Sequence, residues 1–271
     1  MPKIDLHTHS DFSDGTSSPE EVVRAALKAG VKIFAQTDHD TTDGVTRAQT
    51  VCKEFGLPFT TGVEISTREH DHLHFTGYNI DLQNTQFQAF LAQNRQCRRD
   101  RICRIVTRLQ QSGVDITPQD VFQRAPNTVS RAHVADALKA KGLVPSRQEG
   151  FRKYLLPGCP GYEPSVGVSA LEAIRQIKQA GGLAVIAHPG ISSSVWNFPA
   201  WVEAGLDGIE VFYPAHTYTV KQTLLELARK CALLCTGGSA YHGPKGGRIN
   251  APGIFIPTPR YDRLLRRLFN T

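Results

Sequence analysis

The 271-residue sequence predicts an α/β protein: a barrel of alternating strands and helices, interrupted by an inserted, basic, mostly helical region. Three observations predict it. Short apolar runs alternate with amphipathic helical segments over residues 1–81 and again over 166–271, the pattern of βαβ units. Residues 82–165 break that rhythm and carry their apolar positions at helical spacing. That middle stretch also holds all of the excess positive charge, with 13 Lys and Arg against 6 Asp and Glu, where the remainder has 18 against 19. Residues 1–81 and 166–271 are therefore assigned to the barrel, and 82–165 to a helical insertion that caps it.

The elements follow in order. Lys3–His7 reads as the first strand. Ser18-Pro-Glu-Glu21 places a capping serine, a proline at the first helical position and a glutamate three residues after the cap, opening a helix that Gly30 stops. Val31–Thr37 is the second strand, Asp43–Phe55 the second helix, ended by Gly56, and Pro58–Ser66 and His72–Tyr78 are the next two strands. In the insertion, Phe87, Phe90, Leu91, Ile102, Ile105, Val106 and Leu109 mark one long helix ended by Gly113, and a shorter helix runs over Ser130–Lys141. Ser169-Ala-Leu-Glu172 is a second capping box, its helix running to Gly181-Gly182. Strands at Leu183–His188, Asp207–Tyr213 and Ala232–Thr236 have helices between them, and an amphipathic helix lies near Arg260–Phe269. Alternation of this kind predicts parallel strands.

Composition narrows the setting. No apolar run approaches the roughly 18–20 residues that span a bilayer. Met-Pro-Lys leads directly into a strand, so no secretory leader is expected. Six cysteines show neither Cys-x-x-Cys spacing nor the density of a disulfide scaffold, which predicts reduced thiols and a cytoplasmic protein. The run Arg95, Arg98, Arg99, Arg101, Arg104, Arg108 is denser than solubility requires and points to an anionic partner. No obligate protein partner is evident.

Candidate metal ligands collect at strand ends. His7 and His9 lie two apart on the first strand, so both imidazoles point to one side of it, and Asp14 follows on a loop that can fold back. Asp38-His39-Asp40 ends the second strand, Glu64 the third, and His74 lies on the fourth. His188, in Ala-His-Pro-Gly, ends a later strand, and His242 follows the last one. In parallel α/β architectures the carboxyl ends of the strands face one side, where ligands bind. Any one of these histidines is unremarkable; six of them with carboxylates at strand ends make a transition-metal site. His70, His72 and His216 read as surface or supporting residues.

The series Asp5-Leu-His-Thr-His9, Asp14-Gly15, Thr37-Asp-His-Asp40, Gly62-Val-Glu-Ile-Ser66, His74-x-x-Gly77 and Ala187-His-Pro-Gly190 resembles the PHP (polymerase and histidinol phosphatase) metallophosphoesterases. Ser130-Arg-Ala-His133, Phe151-Arg-Lys-Tyr-Leu155 and Pro157-Gly-x-Pro-Gly-Tyr162 are similar to the branch of nucleoside 3′,5′-bisphosphate phosphatases and the 5′→3′ exoribonuclease RNase AM. The resemblance implies a distorted (β/α)7 barrel with up to three divalent metal ions, Mn before Fe or Zn. It implies that His7, His9 and Glu64 hold one ion, that Glu64 bridges to a second held by His74 and His188, and that Asp14, His39 and His242 hold the third. Arg131, His133 and Lys153 would bind a phosphate of the substrate, with Tyr162 stacking on a base or bonding a phosphate; Glu64, His188, Arg131 and His133 are the candidate catalytic residues.

The reaction so implied is attack of a metal-activated hydroxide on phosphorus, on nucleoside 3′,5′-bisphosphates or short 5′-phosphorylated single-stranded RNA. One position departs from the pattern. The family's last motif reads Gly-Ser-Asp-aromatic-His, and this chain has Gly238-Ser239-Ala240-Tyr241-His242. A methyl group cannot ligate, so Ala240 predicts weaker binding of the first ion and slow turnover, whether the alanine is natural or introduced. The alternatives are a small-molecule phosphate monoesterase of the histidinol-phosphatase kind and a catalytically dead nucleotide-binding protein.

Overall fold

Apolar, β-branched runs become strands here, and the helices between them deliver each strand to the same sheet. The structure, a computed structural model, describes residues 1–125, 127–246 and 249–269. The strands are β1 (Lys3–Asp5), β2 (Val31–Gln36), β3 (Phe59–Ser66), β4 (His74–Tyr78), β5 (Leu183–Ala187), β6 (Gly208–Phe212), β7 (Leu234–Gly237) and β8 (Ile254–Phe255). They hydrogen-bond in the order β7-β6-β5-β4-β3-β2-β1-β8. The ends of the seven-strand run β1–β7 approach one another: Leu6 N–H donates to the Gly237 carbonyl at 3.1 Å and His9 N–H to the Tyr241 carbonyl at 2.8 Å, so the sheet nearly closes into a barrel.

The expected parallel arrangement is corrected at two strands: the short β8 pairs antiparallel with β1, and β4 is reversed within the barrel. β4 is antiparallel to both β3 and β5. The connection over residues 67–73 holds no helix, and a parallel return needs a crossover of a dozen or more residues. Reversal has a consequence for the site. His74 is the first residue of β4 and pairs with Ser66 and Ala187, which puts it on the same rim as the carboxyl ends of the other strands.

Helices α1 (Pro19–Lys28) and α2 (Val45–Glu54) cover β2 on the outside, with Val22, Val23, Ala26, Ala48, Val51 and Phe34 in one cluster. The Ser18 box forms as expected: its hydroxyl accepts from Glu21 N–H and Glu21 returns to the Ser18 N–H at 2.8 Å. Helices α7 (Ala170–Gln179), α8 (Phe198–Glu203) and α9 (Tyr218–Lys230) cover β4–β7. The last helix, α10 (Thr258–Phe269), inserts Leu264 and Leu268 among Ile4, Leu6, Ile33, Tyr78, Val185 and Leu234, filling the barrel with apolar side chains from below. Chemistry is thereby confined to the opposite rim.

Residues 82–165 are helical: α3 (Thr85–Gln111), α4 (Pro118–Phe122), α5 (Arg131–Ala140) and α6 (Arg147–Gly150), which runs into a π-helical turn over Phe151–Leu155. The 27-residue α3 belongs to two cores. Phe87, Phe90 and Leu91 pack with the barrel, while Ile102, Ile105, Val106 and Leu109 pack with Val121, Val134, Leu138 and Leu155 of the insertion.

The arginines of α3 do not form the open anionic-partner track expected of them. Arg95 donates to the Asp40 carbonyl at 3.0 Å, and Arg98 to the Asp40 carboxylate at 2.6 Å and to the Ser66 hydroxyl. Arg101 donates to Asp71 at 2.6 Å, Arg108 to the Pro160 carbonyl at 3.2 Å, and Arg99 stacks 4.1 Å above the Phe122 ring. Of the six, only Arg104 is without a partner among the described residues. Arg95, Arg98 and Arg101 fasten the insertion to the barrel, while Arg99 and Arg108 make their contacts within the insertion.

Candidate metal centre

Glu64, near the end of β3, is almost wholly buried and stands among five imidazoles. Its Oε2 lies 3.1 Å from His7 Nε2, 3.2 Å from His9 Nε2 and 3.2 Å from His39 Nδ1. Its Oε1 lies 2.9 Å from His74 Nδ1 and 2.9 Å from His188 Nε2. A second carboxylate, Asp14, has His242 Nε2 at 3.3 Å and the far nitrogens of His9 and His39 each at 3.9 Å. His9 and His39 thus turn one nitrogen to each carboxylate. All eight candidate metal ligands read from the sequence meet at one rim.

Three groups of donor atoms, each within 4.8 Å of one another, could hold an ion: His7, His9 and Glu64; His39, Glu64 and His74; and His9, Asp14, His39 and His242. The first and third contain the ligand sets that the family pattern implies, with His9 added to the third. The second brings His39 beside His74, while His188 reaches the same Glu64 oxygen that His74 does. The donor set passes a direct test of fit. His7 Nε2, His39 Nδ1 and Asp14 Oδ1 are buried and have no hydrogen-bond partner, although each lies close to an oppositely polar atom. Buried polar atoms are almost always paired, and these orphaned atoms are spread over the donor groups, which suits cations there.

Charge in the nest is shared unevenly. Burial pushes His9 down to about 4, with His242 adding to the effect, so its ring is neutral and free to ligate at neutral pH. Burial likewise lowers His39 and His74. Burial also opposes a charge on His7, yet Glu64 and Glu210 together raise it well above the ordinary histidine value; Asp14 does the same for His242. Burial would raise Glu64 and Asp14, but the surrounding imidazoles hold both well below the usual carboxylate range.

Outer contacts orient these rings. Glu210 on β6 accepts from His7 Nδ1 at 3.1 Å, which aims Nε2 at Glu64, and from the His188 N–H at 2.7 Å. His242 Nδ1 donates to the Ala240 carbonyl at 2.6 Å, which aims Nε2 at Asp14. His216 accepts the Gly190 N–H at 3.1 Å and donates to the Val211 carbonyl at 2.9 Å, securing the turn after His188, whose φ is +32°. Sequence reading missed Glu210; its signal is a lone carboxylate in the apolar strand Gly-Ile-Glu-Val-Phe. Ala240 lies between the Gly237 and Tyr241 carbonyls that bond Leu6 and His9, beside the first donor group, at φ +48°. That left-handed conformation is one that aspartate and asparagine tolerate better than alanine.

The candidate substrate residues are dispersed around the rim. Arg131 and Tyr162 line a cavity of about 170 Å³ together with Arg68, Asp71 and His72. His133 is buried, its Nδ1 accepting the Ser130 N–H at 3.0 Å as part of the α5 cap. Burial lowers its pKa, and Asp14 works against that shift. Lys153 is exposed and lies 4.9 Å over the Tyr154 ring, away from the cavity lining.

Known proteins resemble this chain along nearly its whole length. The chain is 34% identical over 253 residues to a 5′-3′ exoribonuclease of Haemophilus influenzae, covering 90% of this chain and 91% of that protein. It is 35% identical over 260 residues to a 3′,5′-nucleoside bisphosphate phosphatase of Chromobacterium violaceum, covering 92% and 90%. The crystal structure of a Bifidobacterium adolescentis protein described as a metal-dependent phosphoesterase superposes with a TM-score of 0.88 at 33% identity, covering 97% of this chain and 95% of that one. The PHP domain family matches residues 5–146, and with relatives of this identity along nearly its whole length the chain belongs to that family.

Proposed function

We propose that the chain is a metal-dependent phosphoesterase that hydrolyses nucleoside 3′,5′-bisphosphates and short 5′-phosphorylated RNA. The observation that carries this reading is the Glu64 carboxylate among five histidines at the open rim, with Asp14 and His242 beside it. Its relatives in H. influenzae and C. violaceum support the substrate class. His7, His9 and Glu64 would hold one ion, Glu64, His74 and His188 a second, and Asp14, His39 and His242 a third; mixed imidazole and carboxylate donors suit Mn, with Fe and Zn as alternatives. Bound there, divalent ions acidify water and neutralise phosphoryl charge.

The chain's own residues supply orientation. Glu210 fixes the tautomer of His7 and, through the His188 N–H, the place of a second ring. Arg131 presents an always-charged guanidinium to the cavity, which suits a phosphate group of the substrate. Tyr162 forms part of the same wall, and His133 and Lys153 complete the set of candidate substrate residues. Six free cysteines support a cytoplasmic setting.

Ala240 favours a second reading for this chain as it stands: nucleotide binding with little or no turnover. One experiment separates the two. Phosphate release from adenosine 3′,5′-bisphosphate and nucleotide release from a 5′-phosphorylated RNA trinucleotide are measured in Mn²⁺ for this chain and for Ala240→Asp. Turnover restored by the aspartate supports the enzyme reading; binding without turnover in both chains supports the second. Faster hydrolysis of histidinol phosphate than of either nucleotide would reassign the substrate class.

A further inference from the structure

We propose that Asp71 sets the charge of the cavity beside the metal centre so that it accepts a single phosphate group and rejects a polyphosphate chain. This deepens the reading above and rests on it for the identity of the substrate. Asp71 lies in the connection between β3 and β4, with one carboxylate oxygen 2.6 Å from Arg101 Nη2 and the other 2.9 Å from Arg131 Nη1. The three side chains are 13%, 12% and 9% exposed for Arg101, Arg131 and Asp71, so their charges act on one another with little screening.

The two arginines differ in what they have left to give. Arg101 also donates from Nε and Nη2 to the Glu163 carbonyl and does not line the cavity. Arg131 does line it. One of its amino groups is on Asp71 and its face lies 5.8 Å from the Phe151 ring centre, which holds the guanidinium still. Its remaining Nε and Nη2 donors have no partner among the described residues, and that edge matches two oxygens of one phosphate.

Asp71 itself forms part of the cavity wall. The buried trio therefore carries two positive charges and one negative, enough to attract one phosphate group. A chain of phosphates would run along the carboxylate and be repelled. Arg68, the other arginine of the lining, is exposed at the mouth, where salt screens it. At about 170 Å³ the cavity is also smaller than the roughly 300–1,000 Å³ of ordinary ligand pockets.

The test compares affinities of the Mn²⁺-loaded full chain for two phosphorothioate-linked RNA trinucleotides, which resist cleavage, one with a 5′-monophosphate and one with a 5′-triphosphate. Asp71→Asn is expected to raise the triphosphate-to-monophosphate affinity ratio about tenfold by removing one like-charge contact. Arg101→Gln, which leaves Asp71 charged and removes the cation behind it, is expected to lower the same ratio by a similar factor and serves if Asp71→Asn does not fold. A ratio unchanged in a variant with parental melting temperature overturns the assignment, because a merely structural role would not move selectivity in opposite directions. Binding is read without turnover, so the two readings fail separately. If neither natural substrate is hydrolysed, by this chain or by Ala240→Asp, yet the ratio shifts, the proposed function falls and the role of Asp71 stands; hydrolysis by Ala240→Asp with an unmoved ratio gives the reverse.

Discussion

Glu64 at the barrel rim and Asp40 beneath the insertion are both buried carboxylates, and they are surrounded in opposite ways. Asp40 receives dedicated donors: Arg98 at 2.6 Å, Asn94 at 2.7 Å and the Ser66 N–H at 3.2 Å. Each of those groups has a proton to give, so the charge is met by donors within the protein. Glu64 instead faces five imidazoles, each with one lone pair as well as one N–H when neutral. They cannot all donate to it, and His7 Nε2 and His39 Nδ1 are left without hydrogen-bond partners. A carboxylate saturated by donors holds a fold together; one ringed by ambivalent imidazoles awaits a cation.

Mutations at the two carboxylates should therefore fail differently. Glu64→Gln removes the anion common to two donor groups, and turnover in an Ala240→Asp background is expected to fall about a thousandfold or more while circular dichroism stays native. Arg98→Ala leaves Asp40 buried with its charge uncompensated, and urea unfolding should show a loss of about 3–5 kcal/mol in stability. If instead Arg98→Ala is thermodynamically silent and abolishes RNA affinity, the arginine run is a binding track after all. Glu210→Gln keeps the shape of the group orienting His7 but weakens its hold, and Mn²⁺ affinity should drop roughly 10- to 100-fold. Arg104→Ala should change stability by less than about 0.5 kcal/mol, because this side chain is exposed and without a partner among the described residues.

That contrast also explains which parts of the molecule could be read in advance. Most of the candidate metal donors were legible because they lie at or just past the end of a short apolar strand, so strand ends and ligands are marked by the same change in composition, as at Ala187-His188. The helix starts at Ser18 and Ser169 were legible because a cap is a local device; both serines accept from the N–H three residues on. The direction of β4 was not, since direction is decided by the connection, and the missing helix between Ser66 and His74 was its only sign. Charge on α3 was plain, but its partners Asp40 and Asp71 lie far back in the chain and on different strands' loops, so only the fold reveals that the arginines are occupied. Glu210 was overlooked for a related reason: a single carboxylate in an apolar strand becomes meaningful once the barrel turns it toward His7.

Calorimetric titration of the full chain with Mn²⁺, beside the same titration of Glu64→Gln, tests the central claim most directly. The account predicts that the parent binds more than one ion per chain and that Glu64→Gln, with its fold intact, keeps at most the ion held by Asp14, His39 and His242. Equal binding by the two chains, or full activity of Ala240→Asp in the presence of a chelator, would contradict it.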